Sequence, residues 1–155
     1  MNEHERYMRM ALEEARLAAR EGEIPVGAVI VRNGEVIARA HNLREQLRDP
    51  TAHAEILALR EAARVLGDRK LPDCTLYTTL EPCPMCAGAM VVSKLGACFF
   101  GAADDRQGCC ASVYALTREP SFLWRLPSVG GLLPEESQAL LAEFFAKRRA
   151  EGAVE

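Results

Sequence analysis

The sequence lacks a long apolar run and has only a small excess of one charge. No stretch approaches the ~18 consecutive apolar residues that a membrane-spanning helix needs, and the first six residues lead into no apolar segment of a secretion signal. Lys and Arg number 19 against 22 Asp and Glu, so the net charge is −3. This acidic balance is not typical of a nucleic-acid-binding protein, and any such function must rest on a local basic patch.

Size and cysteine usage describe an ordinary globular protein. Hydrophobic residues make up 49% of the 155 residues and charged residues 26%, which is usual for a folded domain. We expect a single domain over residues 1–155, long enough to bury a sizeable core. The six cysteines include a pair spaced like metal ligands, which favours a reducing compartment over a disulfide framework. We therefore expect a cytoplasmic protein with no membrane partner.

Two short motifs carry the side chains that could do chemistry. His53 is followed two residues later by Glu55, and Cys83 is followed three residues later by Cys86. A catalytic zinc site uses three protein ligands and leaves the fourth position for water. His53, Cys83 and Cys86 could be those ligands, with Glu55 as the nearby base. Residues two apart lie about 200° apart on an ideal helix, so Glu55 should not share the front face of the metal with His53 unless the first turn starts irregularly, near Pro50. This geometry is compatible with Glu55 lying behind the ligands without being one of them.

Each motif also has a simpler interpretation. A Cys-x-x-Cys pair at a helix start is typical of thioredoxin-like redox proteins. A closed structural zinc site would need a fourth ligand, for which the candidates are Cys74, Cys98, Cys109 and Cys110. The redox interpretation leaves His53 and Glu55 without a role, and the structural zinc site leaves Glu55 without one. A hydrolytic site uses all four residues, so it is favoured, although the non-catalytic alternatives stay open.

Hydrophobic periodicity and turn residues predict an alternation of helices and strands. The predicted order is a helix over about 3–21, a hairpin of strands 25–31 and 35–40, a polar loop over 43–50, a helix from 53 to 67, a strand over 74–80, a helix from 83 to 95, a strand over 97–101, a short helix or strand over 112–116, and a helix over about 134–150. Asn33-Gly34 is a strong signal for the hairpin turn. Two successive strand–helix crossovers indicate parallel strands, and ligands of such sheets bind beyond the carboxyl ends of the strands. Trp124, in a loop between two prolines, could stack on a base, but we favour anchoring of that loop to the core.

Together, the His-x-Glu and Pro-Cys-x-x-Cys motifs are the signature of zinc nucleobase deaminases. The segments around them resemble the bacterial tRNA-specific adenosine deaminases, which convert the wobble adenosine of a tRNA anticodon to inosine. The segments that carry this resemblance are residues 24–29, 41–42, 49–55, 79–90 and 144–145, with the basic residues that follow them.

The resemblance implies a three-layer α/β/α fold of the cytidine deaminase type around a five-stranded mixed sheet, usually as a homodimer. It implies zinc on His53, Cys83 and Cys86, with Glu55 as the catalytic proton shuttle. Its implied substrate contacts are Asn42 to the purine by a hydrogen bond, Val26 and Ala54 against the purine, and Asp104 near the target ribose. The implied partner is the anticodon stem-loop of a tRNA, for which the candidate contacts are Arg125, Lys147, Arg148 and Arg149.

The chain departs from that family's usual pattern at two places. Leu123-Trp124 stands where an Asn-His pair is frequent, and Ala111-Ser112 stands where a Gly-Ser pair is frequent, after an unusual Cys109-Cys110. Both lie outside the metal motifs, in a region expected to touch RNA. Deamination of a free base or nucleoside, such as guanine, cytosine or cytidine, is therefore an alternative on the same scaffold.

Overall fold

A computed structural model describes residues 1–152 as one sheet covered by helices. The strands are β1 (Gly27–Arg32), β2 (Glu35–His41), β3 (Cys74–Leu80), β4 (Ala97–Ala102) and β5 (Ser128–Val129). The helices are α1 (Glu3–Arg20), α2 (Arg44–Leu47), α3 (Ala54–Leu66), α4 (Pro84–Val92) and α5 (Pro134–Ala150), with a 3₁₀ turn at Leu116–Arg118. Among the described residues, none of the helices is both long and apolar enough to cross a membrane.

The sheet is mixed, with strand order β2-β1-β3-β4-β5. Strand β1 is antiparallel to both β2 and β3, while β4 is parallel to β3 and to β5. Because β2 and β3 both oppose β1, they run in the same direction as each other. The parallel relation that the two crossovers predict is therefore confirmed, with α3 joining β2 to β3 and α4 joining β3 to β4.

The hairpin between β1 and β2 forms as the sequence predicts. Asn33 has φ of 51° and Gly34 has φ of 77°, and a type I′ turn requires positive φ at both central positions. This turn places β2 at the edge of the sheet and directs its carboxyl end toward the start of α3.

Alternate residues of β1 face opposite sides of the sheet and define its two helical layers. Ala28 and Ile30 lie in a buried cluster with residues of α3 and α4, whereas Val29 and Val31 pack with residues of α1. Helix α1 lies so close to the sheet that a Cβ on Gly27 would be 2.0 Å from the carbonyl oxygen of Ala11. The predicted three-layer α/β/α fold with a five-stranded mixed sheet is confirmed.

The structure differs from the prediction in four segments. The polar loop after β2 contains the short helix α2, and the second motif's helix ends at Val92 and not near 95. Residues 112–115 form turn, bend and irregular backbone, with the 3₁₀ turn beginning at Leu116, and strand β5 lies in a segment for which the sequence predicts no strand. Helix α2 is held by a long-range contact, since the buried carboxylate of Glu23 accepts from the backbone N–H groups of Glu45 and Gln46 at 3.1 and 2.8 Å. Local sequence patterns do not predict a contact between residues so far apart along the chain.

Trp124 anchors its loop to the core, as the sequence favours. Its indole Nε1 donates to the carbonyl oxygen of Leu95 at 2.8 Å, and the ring packs against the cluster under α3 and α4. The neighbouring Leu123 is 97% exposed.

Candidate metal centre and active site

The two motifs meet where β2 and β3 end at the same edge of the sheet. The chain leaves β3 at Leu80 and reaches Cys83, the residue before α4, while the segment after β2 leads to His53, the residue before α3. His53 and Cys83 have extended backbones and make no side-chain capping bond to their helices. Their side chains are therefore available to face each other across the gap between the helix starts.

His53, Cys83 and Cys86 form the only group of three potential metal ligands within residues 1–152, with ligand atoms within 4.8 Å of one another. The Nδ1 atom of His53 lies 3.6 Å from the sulfur of Cys83 and 3.5 Å from that of Cys86. Tetrahedral zinc with its usual bond lengths to nitrogen and sulfur would place such atoms about 3.6 Å apart. The spacing and donor types therefore fit zinc.

The four other cysteines do not complete this cluster. Cys74, Cys98, Cys109 and Cys110 are buried and free, and none of them belongs to the group of three. A closed four-ligand structural site, which the sequence leaves open, therefore has no fourth cysteine in place among the described residues.

The two thiols of the cluster differ in acidity. A hydrogen bond from Cys86 is the main cause that lowers the pKa of Cys83 to about 4, and the same contact together with burial raises the pKa of Cys86 well above its usual range. A helix N-terminus should favour thiolates at both positions, but only Cys83 behaves so here. The pair thus holds one proton between two sulfurs, which a metal ion would displace on binding.

Glu55 faces the cluster, contrary to the expectation from an ideal helix. It is 4% exposed, contacts Cys86 through its carboxyl group, and interacts electrostatically with His53 and Cys83. The 200° separation does not apply because His53 precedes the helix with ψ of 151°. Burial raises the pKa of Glu55 to about 7, so near neutral pH this carboxyl group can both accept and release a proton.

A cavity of about 660 Å³ opens above these residues. It brings together His53 and Cys83 of the cluster, Glu55 and all four predicted substrate contacts. The lining residues are Ile24, Val26, Asn42, Arg44, His53, Ala54, Glu55, Leu80, Glu81, Cys83, Ala103, Asp104, Asp105, Arg106, Gln107, Leu141, Phe145 and Arg149. The volume falls in the usual range of small-molecule sites.

Asn42 is oriented by its neighbours and has donor capacity to spare. Its Oδ1 accepts from the backbone N–H of Arg44 at 3.1 Å, while its Nδ2 has one long contact of 3.5 Å to the carbonyl oxygen of Ile24. The amide nitrogen therefore retains hydrogen-bonding capacity for a ligand in the cavity.

The predicted RNA contacts divide between the cavity and other surfaces. Arg149 lines the cavity, and the guanidinium of Arg148 lies 5.3 Å from the centre of the Phe144 ring. Lys147 is exposed in the last turn of α5. Arg125 donates to the carbonyl oxygens of Pro120 and Phe122 in its own loop and is not among the cavity residues.

Four charged cavity residues, Arg44, Glu81, Asp105 and Arg106, are not predicted from the sequence as site residues, and two of them are buried in part or in full. Arg44 lines the cavity, and its Nε is buried without a hydrogen-bond partner in the described residues. Glu81 also lines it, although it is only 1% exposed, and accepts hydrogen bonds from the segment that follows β4. The available sequence signal for Glu81 was its position directly after a strand expected to be buried. Charged groups are rarely buried without partners, so a carboxylate at that position indicates a specific contact.

Comparison with known sequences gives concordant results. Residues 1–102 match the sequence model described as the cytidine and deoxycytidylate deaminase zinc-binding region. The tRNA-specific adenosine deaminase of Bacillus subtilis (strain 168) is 48% identical over 149 residues, which cover 96% of this chain and 92% of that protein.

Comparison with solved structures extends the likeness to the whole fold. A structure from a study of A-to-I editing by tRNA:A34 deaminases at the wobble position superposes with a TM-score of 0.85 and 40% identity, covering 88% of this chain and 99% of that one. Guanine deaminase from Bacillus subtilis superposes with a TM-score of 0.64 and 45% identity, over 66% of each chain.

Proposed function

We propose, from the premise that the chain belongs to the cytidine and deoxycytidylate deaminase zinc-binding family, that it is a zinc-dependent hydrolase that deaminates adenosine to inosine at the wobble position of tRNA. The observation that carries the proposal is a buried carboxyl group facing a His-Cys-Cys cluster inside one cavity. The substrate follows from similarity to tRNA-specific adenosine deaminases along 96% of the chain. The proposed unit is a single domain over residues 1–155, of which 153–155 lie outside the described residues.

His53, Cys83 and Cys86 are the proposed zinc ligands, supported by their mutual distances of 3.5 and 3.6 Å about the imidazole Nδ1. When bound, zinc would act as a Lewis acid and raise the acidity of water in the cavity. The one proton shared by the two thiols leaves on metal binding, so zinc affinity should fall as the pH falls.

Glu55 is the proposed proton carrier of the reaction. Its carboxylate accepts a proton from the attacking water as oxygen bonds to C6 of adenine, and returns that proton at N1 of the ring. Glu55 then carries the proton of the new C6 hydroxyl to the exocyclic nitrogen, so that the C6–N6 bond breaks and C6 becomes a carbonyl. Water and adenosine thus become inosine and ammonia, and N1 keeps the first proton. One carboxyl group can serve both transfers because a carboxylate that has accepted a proton can return it, and burial already raises the pKa of Glu55 to about 7 in the metal-free protein.

The base would lie between the walls of the cavity. The amide N–H of Asn42 that is not donated to Ile24 suits an acceptor on the purine edge, while Val26 and Ala54 offer apolar contact beside the cluster. Asp104 also lines the cavity and is the proposed contact to the target ribose. The experiment that tests these roles offers the zinc-loaded protein anticodon stem-loop RNA and measures inosine and ammonia together.

Basic residues around the cavity support a polynucleotide substrate. Arg44, Arg106 and Arg149 all line it beside the carboxylates of Asp104 and Asp105, which gives the rim three guanidinium groups on a chain of net charge −3. Lys147 and Arg148 extend that charge along the last turn of α5. Phosphate groups on either side of the target nucleotide are the natural partners of such a rim.

A cytoplasmic homodimer is the proposed form of the enzyme. Several large apolar side chains are exposed, with exposures of 74% for Val92, 66% for Tyr114 and 97% for Leu123. Association of two copies would cover apolar groups of this kind. Sedimentation analysis of the purified protein distinguishes the dimer from the monomer.

Deamination of free guanine is the second candidate. It is favoured by the likeness to guanine deaminase from Bacillus subtilis at 45% identity. Parallel assays with anticodon stem-loop RNA, guanine and cytidine, each followed by ammonia release, separate the two functions. Ammonia release from guanine alone would make guanine the substrate in place of tRNA adenosine. The reaction would still be a hydrolytic deamination.

A further inference from the structure

We propose that Glu81 is a positioning residue that holds one wall of the substrate cavity in place and thereby sets substrate affinity. The inference rests on the proposed function only for its choice of substrate. The wall consists of residues 103–107, which line the cavity after β4 ends at Ala102.

Five donors from this part of the chain converge on the Glu81 carboxylate. Oε2 accepts from the backbone N–H groups of Cys110, Ala111 and Ser112 at 3.1, 2.9 and 2.9 Å. Oε1 accepts from the N–H of Asp104 at 3.1 Å and from the Ser112 hydroxyl. The carboxylate is 1% exposed, so these bonds form out of reach of bulk water, where an unsatisfied donor is costly.

These bonds hold a segment that has no regular secondary structure. Residues 103–112 contain neither helix nor strand, so their N–H groups do not belong to a helix or sheet ladder. Glu81 ties down Asp104 at one end of the segment and residues 110–112 at the other. Between the two ties lie Asp105, Arg106 and Gln107, which face the cavity.

Gly108 shows independently that the segment is closed against Glu81. A Cβ at this position would lie 2.3 Å from Cδ and 2.4 Å from Oε1 of Glu81, and 2.5 Å from the carbonyl oxygen of Asp104. Contacts this short cannot form, so a side chain at 108 must push the segment away from the carboxylate. The same wall can therefore be disturbed from the Glu81 side or from the segment side.

The expected consequence is a change in binding more than in chemistry. Glu55 lies on α3 and Cys86 on α4, with His53 and Cys83 directly before those helices. The segment itself contributes no ligand, and it bonds to the second motif through the N–H of Cys109, which donates to the carbonyl oxygen of Pro82 at 2.8 Å. A displaced wall should therefore raise KM while leaving kcat nearly unchanged, the pattern expected for a lost interaction common to ground and transition states. Because Glu81 lies two residues before Cys83, zinc content must be measured on every variant.

The test compares Glu81→Gln, Gly108→Ala and Ser112→Ala with Tyr7→Phe. The control removes a buried hydrogen bond, from the Tyr7 hydroxyl to the carbonyl oxygen of Gly34 at 3.0 Å, under α1 on the opposite face of the sheet. The first readout is amide hydrogen exchange of the zinc-loaded proteins, which needs no substrate. The second is KM and kcat for anticodon stem-loop RNA, or for guanine or cytidine if the wild type turns over only those.

We expect exchange at Asp104 and residues 110–112 to accelerate about tenfold or more in Glu81→Gln and Gly108→Ala, and less in Ser112→Ala, which loses one donor of five. KM should rise about tenfold in the first two variants, with kcat within about threefold of wild type and zinc still bound. Tyr7→Phe should show none of these changes.

Three results would overturn the inference. Unchanged exchange at residues 104 and 110–112 would mean that the carboxylate does not hold the segment. Faster exchange with unchanged KM would mean that the wall does not contribute to affinity. Loss of zinc in Glu81→Gln, with normal behaviour of Gly108→Ala and Ser112→Ala, would mean that Glu81 acts through Cys83. A wild type inactive on RNA contradicts the proposed function and leaves the exchange result as it stands. Ser112→Ala, the mildest change, keeps the test possible if the others do not fold.

Discussion

Replacing Glu55 with Gln separates the proton carrier from the metal site. Gln keeps nearly the same volume at a position that is 4% exposed, but it cannot accept and return a proton. General acid–base catalysis is typically worth about 10²–10⁴-fold, and a group that acts in two proton transfers should lie at or above the top of that range. We therefore expect kcat to fall by about 10⁴-fold, with about one zinc ion still bound per chain.

The same substitution has an expected effect on stability that does not depend on activity. In metal-free protein, burial raises the Glu55 pKa from 4.5 to about 7. A carboxyl group whose folded pKa exceeds its unfolded value destabilises the fold progressively as pH rises from the lower value through the higher one. A tenfold difference in acidity between the folded and unfolded states corresponds to about 1.4 kcal/mol. Glu55→Gln should therefore gain about 2–4 kcal/mol of unfolding free energy at pH 8 and little at pH 4.

Two assays check these expectations. Inosine formation from anticodon stem-loop RNA, with zinc measured by elemental analysis, tests the catalytic role. Urea unfolding of chelator-treated protein at pH 4 and pH 8 tests the cost of burying the charge. Loss of zinc from Glu55→Gln would make Glu55 a ligand and refute the site; full activity would place proton transfer elsewhere. The same difference in unfolding free energy between Glu55→Gln and wild type at pH 4 and at pH 8 would refute the reasoning from burial.

Three further perturbations test other parts of the site and fold. Cys83→Ala should lose zinc while Cys74→Ala, a buried cysteine outside the cluster, keeps it; elemental analysis showing undiminished zinc in Cys83→Ala would rule out that ligand. Neutralising Lys147, Arg148 and Arg149 together should weaken RNA binding and flatten its log–log salt dependence by up to about 2 units, at ~0.7 per contact with single-stranded RNA. An unchanged slope would move the RNA surface elsewhere, to the Arg125 loop for instance. Burial acts to lower the pKa of His41, but hydrogen bonds at 2.9 Å to Glu14 and Glu21 outweigh it, so the pKa is raised. The protonated imidazole therefore stabilises the fold, and this contribution to the free energy of unfolding should be complete below pH ~6.5 and lost as pH rises through the raised pKa. The pH dependence of the melting temperature should therefore be shallower in His41→Gln, and parallel profiles would contradict the role of His41.

The elements that the sequence predicts well are those specified by neighbouring residues. Strand β3 and helix α5 have the predicted bounds, because a short run rich in Thr, Leu and Tyr and a helical run that starts at a proline and ends in basic residues are local signals. The hairpin follows from the positive φ that Asn33 and Gly34 tolerate. The cluster of His53, Cys83 and Cys86 was predictable because the spacing of residues within each motif can be read from the local sequence. Only the proximity of the two motifs in the folded protein depends on contacts distant along the chain.

The elements that the sequence does not reveal are held by contacts distant along the chain. Helix α2 depends on Glu23, about 22 residues earlier, and the turns of residues 103–112 depend on Glu81, 23 to 31 residues earlier. An ideal helix through His53 predicts the wrong orientation for Glu55, because the helix begins one residue later. Periodicity reports which face of a helix is apolar, but not which carboxylate will meet which N–H group.

Three buried carboxylates in one small domain show how surroundings assign roles to the same functional group. Glu23 and Glu81 are each 1% exposed and accept from backbone N–H groups. Such bonds favour the charged form, and in Glu81 they lower the pKa despite burial. Glu55 is buried to a similar degree but faces thiols and the cavity, and its pKa rises to about 7. A carboxylate held ionised by several donors is suited to fastening a loop, whereas one that changes protonation near neutral pH is suited to moving protons. Burial therefore supports the proton-carrying role proposed for Glu55, whose pKa it raises to about 7 despite a hydrogen bond from the backbone.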